Sequence, residues 1–192
     1  MNFLAHLVLS PGGDEMMAGN FFADCVKGRQ WQTLPENYAE GVLQHRRIDT
    51  YVDQHPITRT SKKWLSNDLG LFKGVFLDLY WDHFLSRNFK RLTGMHTAHF
   101  INYAHNTLTA HASVFGPKAT HLTQAMIQGN WLLGYAEPSS LQKIFEQMSR
   151  RFPYDNPLDR GVEDLLRTQE ELHLAFEKLW EDLTLSFGTF QN

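Results

Sequence analysis

Cysteine is almost absent from this chain: Cys25 is the one thiol in 192 residues. That excludes an intramolecular disulfide and a zinc–thiolate framework, and it fits a reducing, cytoplasmic home. Long apolar runs are missing too. The opening MNFLAHLVLS is interrupted by His6, lacks a basic leader and is far too short to span a bilayer, so it reads as a core helix, with no membrane role. Charge of one sign is scarce: 18 Lys and Arg against 21 Asp and Glu give a formal net charge of -3, so the chain advertises no nucleic-acid partner. Repeats, low-complexity tracts, a G-x-S-x-G elbow, a phosphate-binding glycine loop and a dinucleotide fingerprint are all lacking. No run alternates with period two. The chain is expected to form one all-α, multi-helical domain over residues 1–192, more complex than a four-helix bundle.

What is present is a set of helical stripes punctuated by the wrong kind of residue. In GVLQHRRIDTYVDQHP, residues 41–56, the series Tyr38, Gly41, Val42, His45, Ile48, Asp49 and Val52 follows the rhythm of an inward helix face. His45 and Asp49 stand one turn apart on it. A buried imidazole or carboxylate is costly unless paired, hydrogen-bonded or coordinating a metal. Pro35 suits the start of this helix and Pro56 its end. Arg46 points to a flank from which it could reach the pair, and Arg47 faces roughly the other way.

The oddity recurs. In MMAGNFFADCVKG, closed by Gly28, the spacing places Met17, Phe21, Asp24 and Cys25 on one face with Asn20 at its edge. In LFKGVFLDLYWDHFLSRNF, Leu71, Val75, Asp78, Leu79, Asp82, Leu85 and Phe89 form an inward stripe with His83 beside it. His6 lies in the first short helix, one turn from Asn2. Histidines 96, 99, 105, 111 and 121 converge on no face and read mostly as surface residues. A single long helix is expected from Leu158 to Leu185, with Leu165, Leu166, Leu172 and Phe176 inward.

Histidine with carboxylate and no thiolate suits a borderline or hard divalent ion such as manganese, magnesium or iron. Such an ion acidifies water and neutralises phosphoryl charge, and an arginine adds a bidentate clamp. Metal-assisted phosphoester hydrolysis is therefore the expected reaction class. A structural pairing of His45 with Asp49, and a salt-bridged Asp82–His83, are the plainer readings of the same residues.

Four ordered motifs, MNFLAHL, GNFFADCVKG, GVLQHRRIDTYVDQHP and LDLYWDHFLSRNF, together with MSRRFP at 148–153, resemble the acyl carrier protein phosphodiesterases. The resemblance implies hydrolysis of the phosphodiester that links 4'-phosphopantetheine to a serine of holo acyl carrier protein. It also implies dependence on a divalent metal, typically manganese, and a distant likeness to the all-α HD-domain phosphohydrolases. Those enzymes carry an adjacent His-Asp pair, whereas here the pair is split as His45 and Asp49. On this footing Asp24, His45, Asp49 and Asp82 are the expected metal ligands, His83 and Asp78 the next candidates, His6 and Asn20 supporting residues, and Arg46 the phosphate contact, with Arg46 and His83 assigned to catalysis. Because acyl carrier proteins are strongly acidic, Lys27, Arg29, Arg47, Lys62 and Lys63 are expected to face the partner. The alternatives are a metal-dependent hydrolase of a small nucleotide or other phosphoester, and a non-catalytic module that binds an acidic carrier protein.

Overall fold

The computed structural model describes residues 1–191. Among them 79% are helical and none form strands, the all-α class expected from the periodicity. The helices are α1 (Phe3–Val8), α2 (Asp14–Phe21), α3 (Glu36–Gln54), α4 (Pro56–Trp64), α5 (Lys73–Arg87), α6 (Phe89–Thr93), α7 (Thr97–His111), α8 (Pro117–Gln128), α9 (Trp131–Gly134), α10 (Pro138–Ser149), α11 (Glu163–Arg167) and α12 (Gln169–Phe187), with short 3-10 turns between several of them. None is long and apolar enough to cross a membrane.

Helix α5 is the hub. From Phe76 to Ser86 every residue except Asp78 is buried, the pattern of a helix hydrophobic on all sides. Trp81 stacks on Phe176 of α12 and Phe76 on Phe145 of α10. Trp81 and Trp180 are buried packing residues.

Helix α3 lies against α2 at unusually close range. A Cβ on Gly41 would fall 2.3 Å from the Met16 carbonyl oxygen and 2.8 Å from the Gly19 Cα. Only glycine permits such an approach of two backbones. The crossing places Asn20 directly beside the His45 turn of α3.

Three expectations from periodicity fail, each for a local reason. Helix α2 ends at Phe21 and a 3-10 turn covers Ala23–Cys25. Asp24 therefore leaves the core stripe, and its side chain is 79% exposed. Helix α5 begins at Lys73, so Leu71 falls in the preceding 3-10 turn and is fully exposed. The long C-terminal helix is three pieces, a 3-10 turn at Pro157–Arg160, α11 and α12, parted at Gly161 and Thr168. The break turns Leu166 out to solvent.

Candidate metal centre

Three elements bring the ligand-type side chains together. Helix α1 supplies His6, α3 supplies His45 and Asp49, and the turn after α2 supplies Asp24. His6 Nε2 lies 3.1 Å from Asp49 Oδ1, His45 Nε2 lies 3.1 Å from Asp49 Oδ2, and His45 Nε2 lies 3.7 Å from Asp24 Oδ1. One ligand atom from each of His6, His45 and Asp49 lies within 4.8 Å of the others. The two imidazoles stack with centroids 3.9 Å apart and planes inclined by 17°.

The protons in this cluster can be assigned from its partners. Asn20 Nδ2 donates to the carbonyls of His6 and Leu9 and to Ser10 Oγ, at 2.8, 3.2 and 2.9 Å. Its Oδ1 is therefore an acceptor, and His6 Nδ1, 2.9 Å away, carries a proton towards it. His45 Nδ1 likewise donates to the Asn20 carbonyl at 2.8 Å. In the neutral tautomers so fixed, both Nε2 atoms present lone pairs to a carboxylate that also has only lone pairs to offer. Burial lowers the His6 pKa to about 4, which keeps that ring neutral. Lone pairs converging on one point from rings oriented through their other nitrogens are the chemistry of a cation site. Burial works against the Asp49 charge, and the Met1 ammonium, 3.5 Å from Oδ1, favours it.

The cluster forms the polar end of a cavity of about 340 Å³. Its other walls are Phe3 from α1, Val75, Asp78 and Leu79 from α5, Leu122 from α8, Trp131 from α9, Tyr135, and Ile144, Gln147, Met148 and Arg151 from α10 and the turn after it. Asp78 accepts from the Met1 ammonium at 2.9 Å. Burial alone would lower the pKa of that ammonium, but Asp78, Asp49 and Asp82 raise it to about 10.

Several expected site residues serve elsewhere. Asp82 is wholly buried and does not line the cavity; its two oxygens accept from the backbone N–H groups of Leu4 at 2.7 Å and Ala5 at 3.2 Å. It thus caps the start of α1 and holds the helix that carries His6, while burial pushes its pKa up to about 7 against those two donors. His83 is turned from the cavity as well, with Nδ1 2.8 Å from the Tyr135 carbonyl oxygen. The guanidinium of Arg46 donates to the carbonyls of Gly28 and Val26 at 2.9 and 3.0 Å, which pins the loop behind Asp24. Arg47 pairs with Glu40 and donates to Gln44. Lys27 and Arg29 are exposed on the pinned loop. Lys62 lies by Gly74, next to the cavity residue Val75, and 3.6 Å from Asp53. Lys63 lines a separate polar cleft with Arg160 and Arg167.

Periodicity does not single out Tyr135 and Trp131, because α9 has only four residues, nor Leu122, Ile144 and Gln147, because a helix stripe does not distinguish a cavity wall from solid core. Arg151 had one available signal, its place in MSRRFP.

Comparison with known proteins agrees with the motifs. The family model described as acyl carrier protein phosphodiesterase matches residues 1–183. A protein of that name from Enterobacter sp. (strain 638) is 33% identical over 177 residues, covering 92% of each chain. One from Salmonella paratyphi A is 32% identical over 181 residues, covering 94% of this chain and 92% of its own. Another, from Photorhabdus laumondii subsp. laumondii, is 31% identical over 181 residues, covering 94% and 89% respectively. No solved structure matches the chain. Extending over nearly the whole chain at this level of identity, these matches place it in the acyl carrier protein phosphodiesterase family.

Proposed function

We propose that the protein hydrolyses the phosphodiester between 4'-phosphopantetheine and holo acyl carrier protein, releasing apo carrier protein, in the cytoplasm. The observation that carries the chemistry is the convergence of His6 Nε2, His45 Nε2 and the Asp49 carboxylate, all acceptors, in the wall of a cavity. The substrate assignment rests on the family.

His6, His45 and Asp49, with Asp24 at the exposed edge, would hold a divalent ion. Two imidazole nitrogens beside carboxylate oxygens favour manganese or iron over magnesium, which prefers an all-oxygen shell. A bound ion supplies Lewis acidity at the phosphoryl oxygens and makes water more acidic. The chain's own residues do the rest. Asn20 fixes both imidazoles through their Nδ1 atoms, so their Nε2 lone pairs are aimed before any ligand arrives. Asp82 holds the start of α1. The apolar walls Phe3, Leu79, Leu122 and Ile144 take up the pantetheine arm and exclude water from it.

The phosphate contact is assigned to Arg151, which lines the cavity, in place of Arg46, whose guanidinium is committed to backbone carbonyls. Arg151→Lys keeps the charge but loses the planar fork, and kcat/KM on holo carrier protein should fall about 10-fold, in the range expected for one charge-assisted contact. An unchanged kcat/KM would remove Arg151 from this role. Lys27 and Arg29, exposed on the loop that follows Asp24, and Lys62, beside Gly74, would steer an acidic partner.

The test is incubation with holo acyl carrier protein and manganese, with and without chelator, read by intact-protein mass spectrometry. Loss of the phosphopantetheine mass only where free metal is present supports the reading. An intact carrier protein, with enzyme shown to be folded and metal-loaded, refutes it.

A further inference from the structure

We propose that an apolar ledge formed by Leu71, Phe72, Phe152 and Tyr154 is the seat of the carrier protein beside the cavity mouth; the inference rests on the substrate reading above. Leu71 is 101% exposed, Tyr154 58% and Phe152 36%. Gly70, at φ 49° and ψ -126°, holds a backbone conformation that other residues rarely adopt, and the turn built on it projects Leu71 outward instead of along the core stripe of α5. Nothing in the fold uses this leucine. A contiguous exposed apolar patch on a soluble protein commonly marks a contact surface.

Both segments of the ledge adjoin cavity residues along the chain. Phe72 precedes the cavity residue Val75 by one turn, and Phe152 directly follows Arg151. The two segments meet where the Phe72 and Phe152 rings pack edge to face at 5.4 Å, and Tyr154 extends the row at 5.5 Å from Phe152. A phosphodiester rooted on a protein's surface serine can reach the His6–His45–Asp49 cluster only if the surface around that serine presses on the rim. The ledge is the apolar part of that rim. Arg151 supplies a cation beside it, complementary to an acidic partner, with Lys62, 3.6 Å from Asp53, close by; the Arg160 guanidinium is shared between Glu163 at 2.9 Å and Asp68 at 3.7 Å. Asp155 and Asp159 share a shallow groove with Phe152 and Tyr154, so the ledge itself is not basic. Apolar contact there should set how long the partner stays, and the cations at the mouth how fast it arrives.

The experiment compares wild type with Leu71→Asp on holo acyl carrier protein, measuring kcat and KM separately, alongside thermal midpoint and gel-filtration mass. Leu71 touches neither the cluster nor the core, so the variant should keep kcat and thermal midpoint while KM rises about 10-fold or more. Leu71→Ala should give a smaller rise of the same kind. An unchanged KM in Leu71→Asp, with active wild type, overturns the ledge and leaves the reaction standing. So does a change from dimer to monomer at constant KM, which would assign the ledge to a second copy of this chain. Wild type that leaves holo carrier protein intact sinks the substrate reading and the ledge with it.

Discussion

His45→Ala should lower metal-dependent hydrolysis by about 10³-fold or more, the loss expected when one ligand of a catalytic ion is removed. The same variant should lose the stabilisation that metal gives. Manganese at about 100 times its dissociation constant adds roughly 2.7 kcal/mol to the stability of a folded state that alone binds it. For a chain of this size that corresponds to a rise in thermal midpoint of roughly 5–10 °C. Wild type should show the rise and lose it on chelation. His45→Ala should show none, and its metal-free midpoint should itself fall by a few degrees, because the buried Asn20 carbonyl loses the Nδ1–H it accepts from. His6→Ala is expected to match it, since the two Nε2 atoms approach opposite oxygens of Asp49. Full activity in either variant would leave the cluster without its assigned role.

The sequence showed that polar groups had been placed in core stripes at a cost, but it did not show how each cost was met. His45 and Asp49 were legible because α3 is long and its stripe strong. Asp82 gives the same signal of burial, yet its charge is answered by two backbone N–H groups of α1, a pairing 77 and 78 residues distant in sequence. Periodicity reports burial; it cannot distinguish a ligand from a helix cap. His6 is harder to read for the opposite reason: α1 has six residues, too few for a stripe to stand out. Asp24 reads as a core residue because the spacing runs on through Phe22, where the backbone leaves the α-helix. Leu166 was misplaced by the same kind of break, at Thr168. The helical class survived all of these errors because it depends on many turns at once, whereas a site depends on a few side chains whose partners are remote.

The least legible determinant is the pair of glycines at the α2–α3 crossing, and its removal carries the second large effect. A Cβ on Gly41 would lie 2.3 Å from Met16 O, 2.7 Å from Asn20 N and 2.8 Å from the Gly19 Cα. All three are backbone atoms, so no rotamer change relieves them, and contacts this short are about 1 Å inside ordinary packing distance. The helices would have to part. Asn20 is the residue at the contact, and its carbonyl and side chain orient His45 and His6 respectively; His45 lies one turn beyond Gly41. Gly41→Ala should therefore destabilise the fold by about 3 kcal/mol, at the upper end for overpacking, and lower the thermal midpoint by roughly 6–12 °C. It should also abolish the manganese-induced rise, although no ligand has been touched. Gly74→Ala is the control: its Cβ would meet only the flexible end of Lys62 at 3.8 Å, and alanine in place of a helical glycine should be neutral or stabilising by up to about 1 kcal/mol. If Gly41→Ala proved as stable and as responsive to metal as Gly74→Ala, the close crossing would not be what aims the two imidazoles.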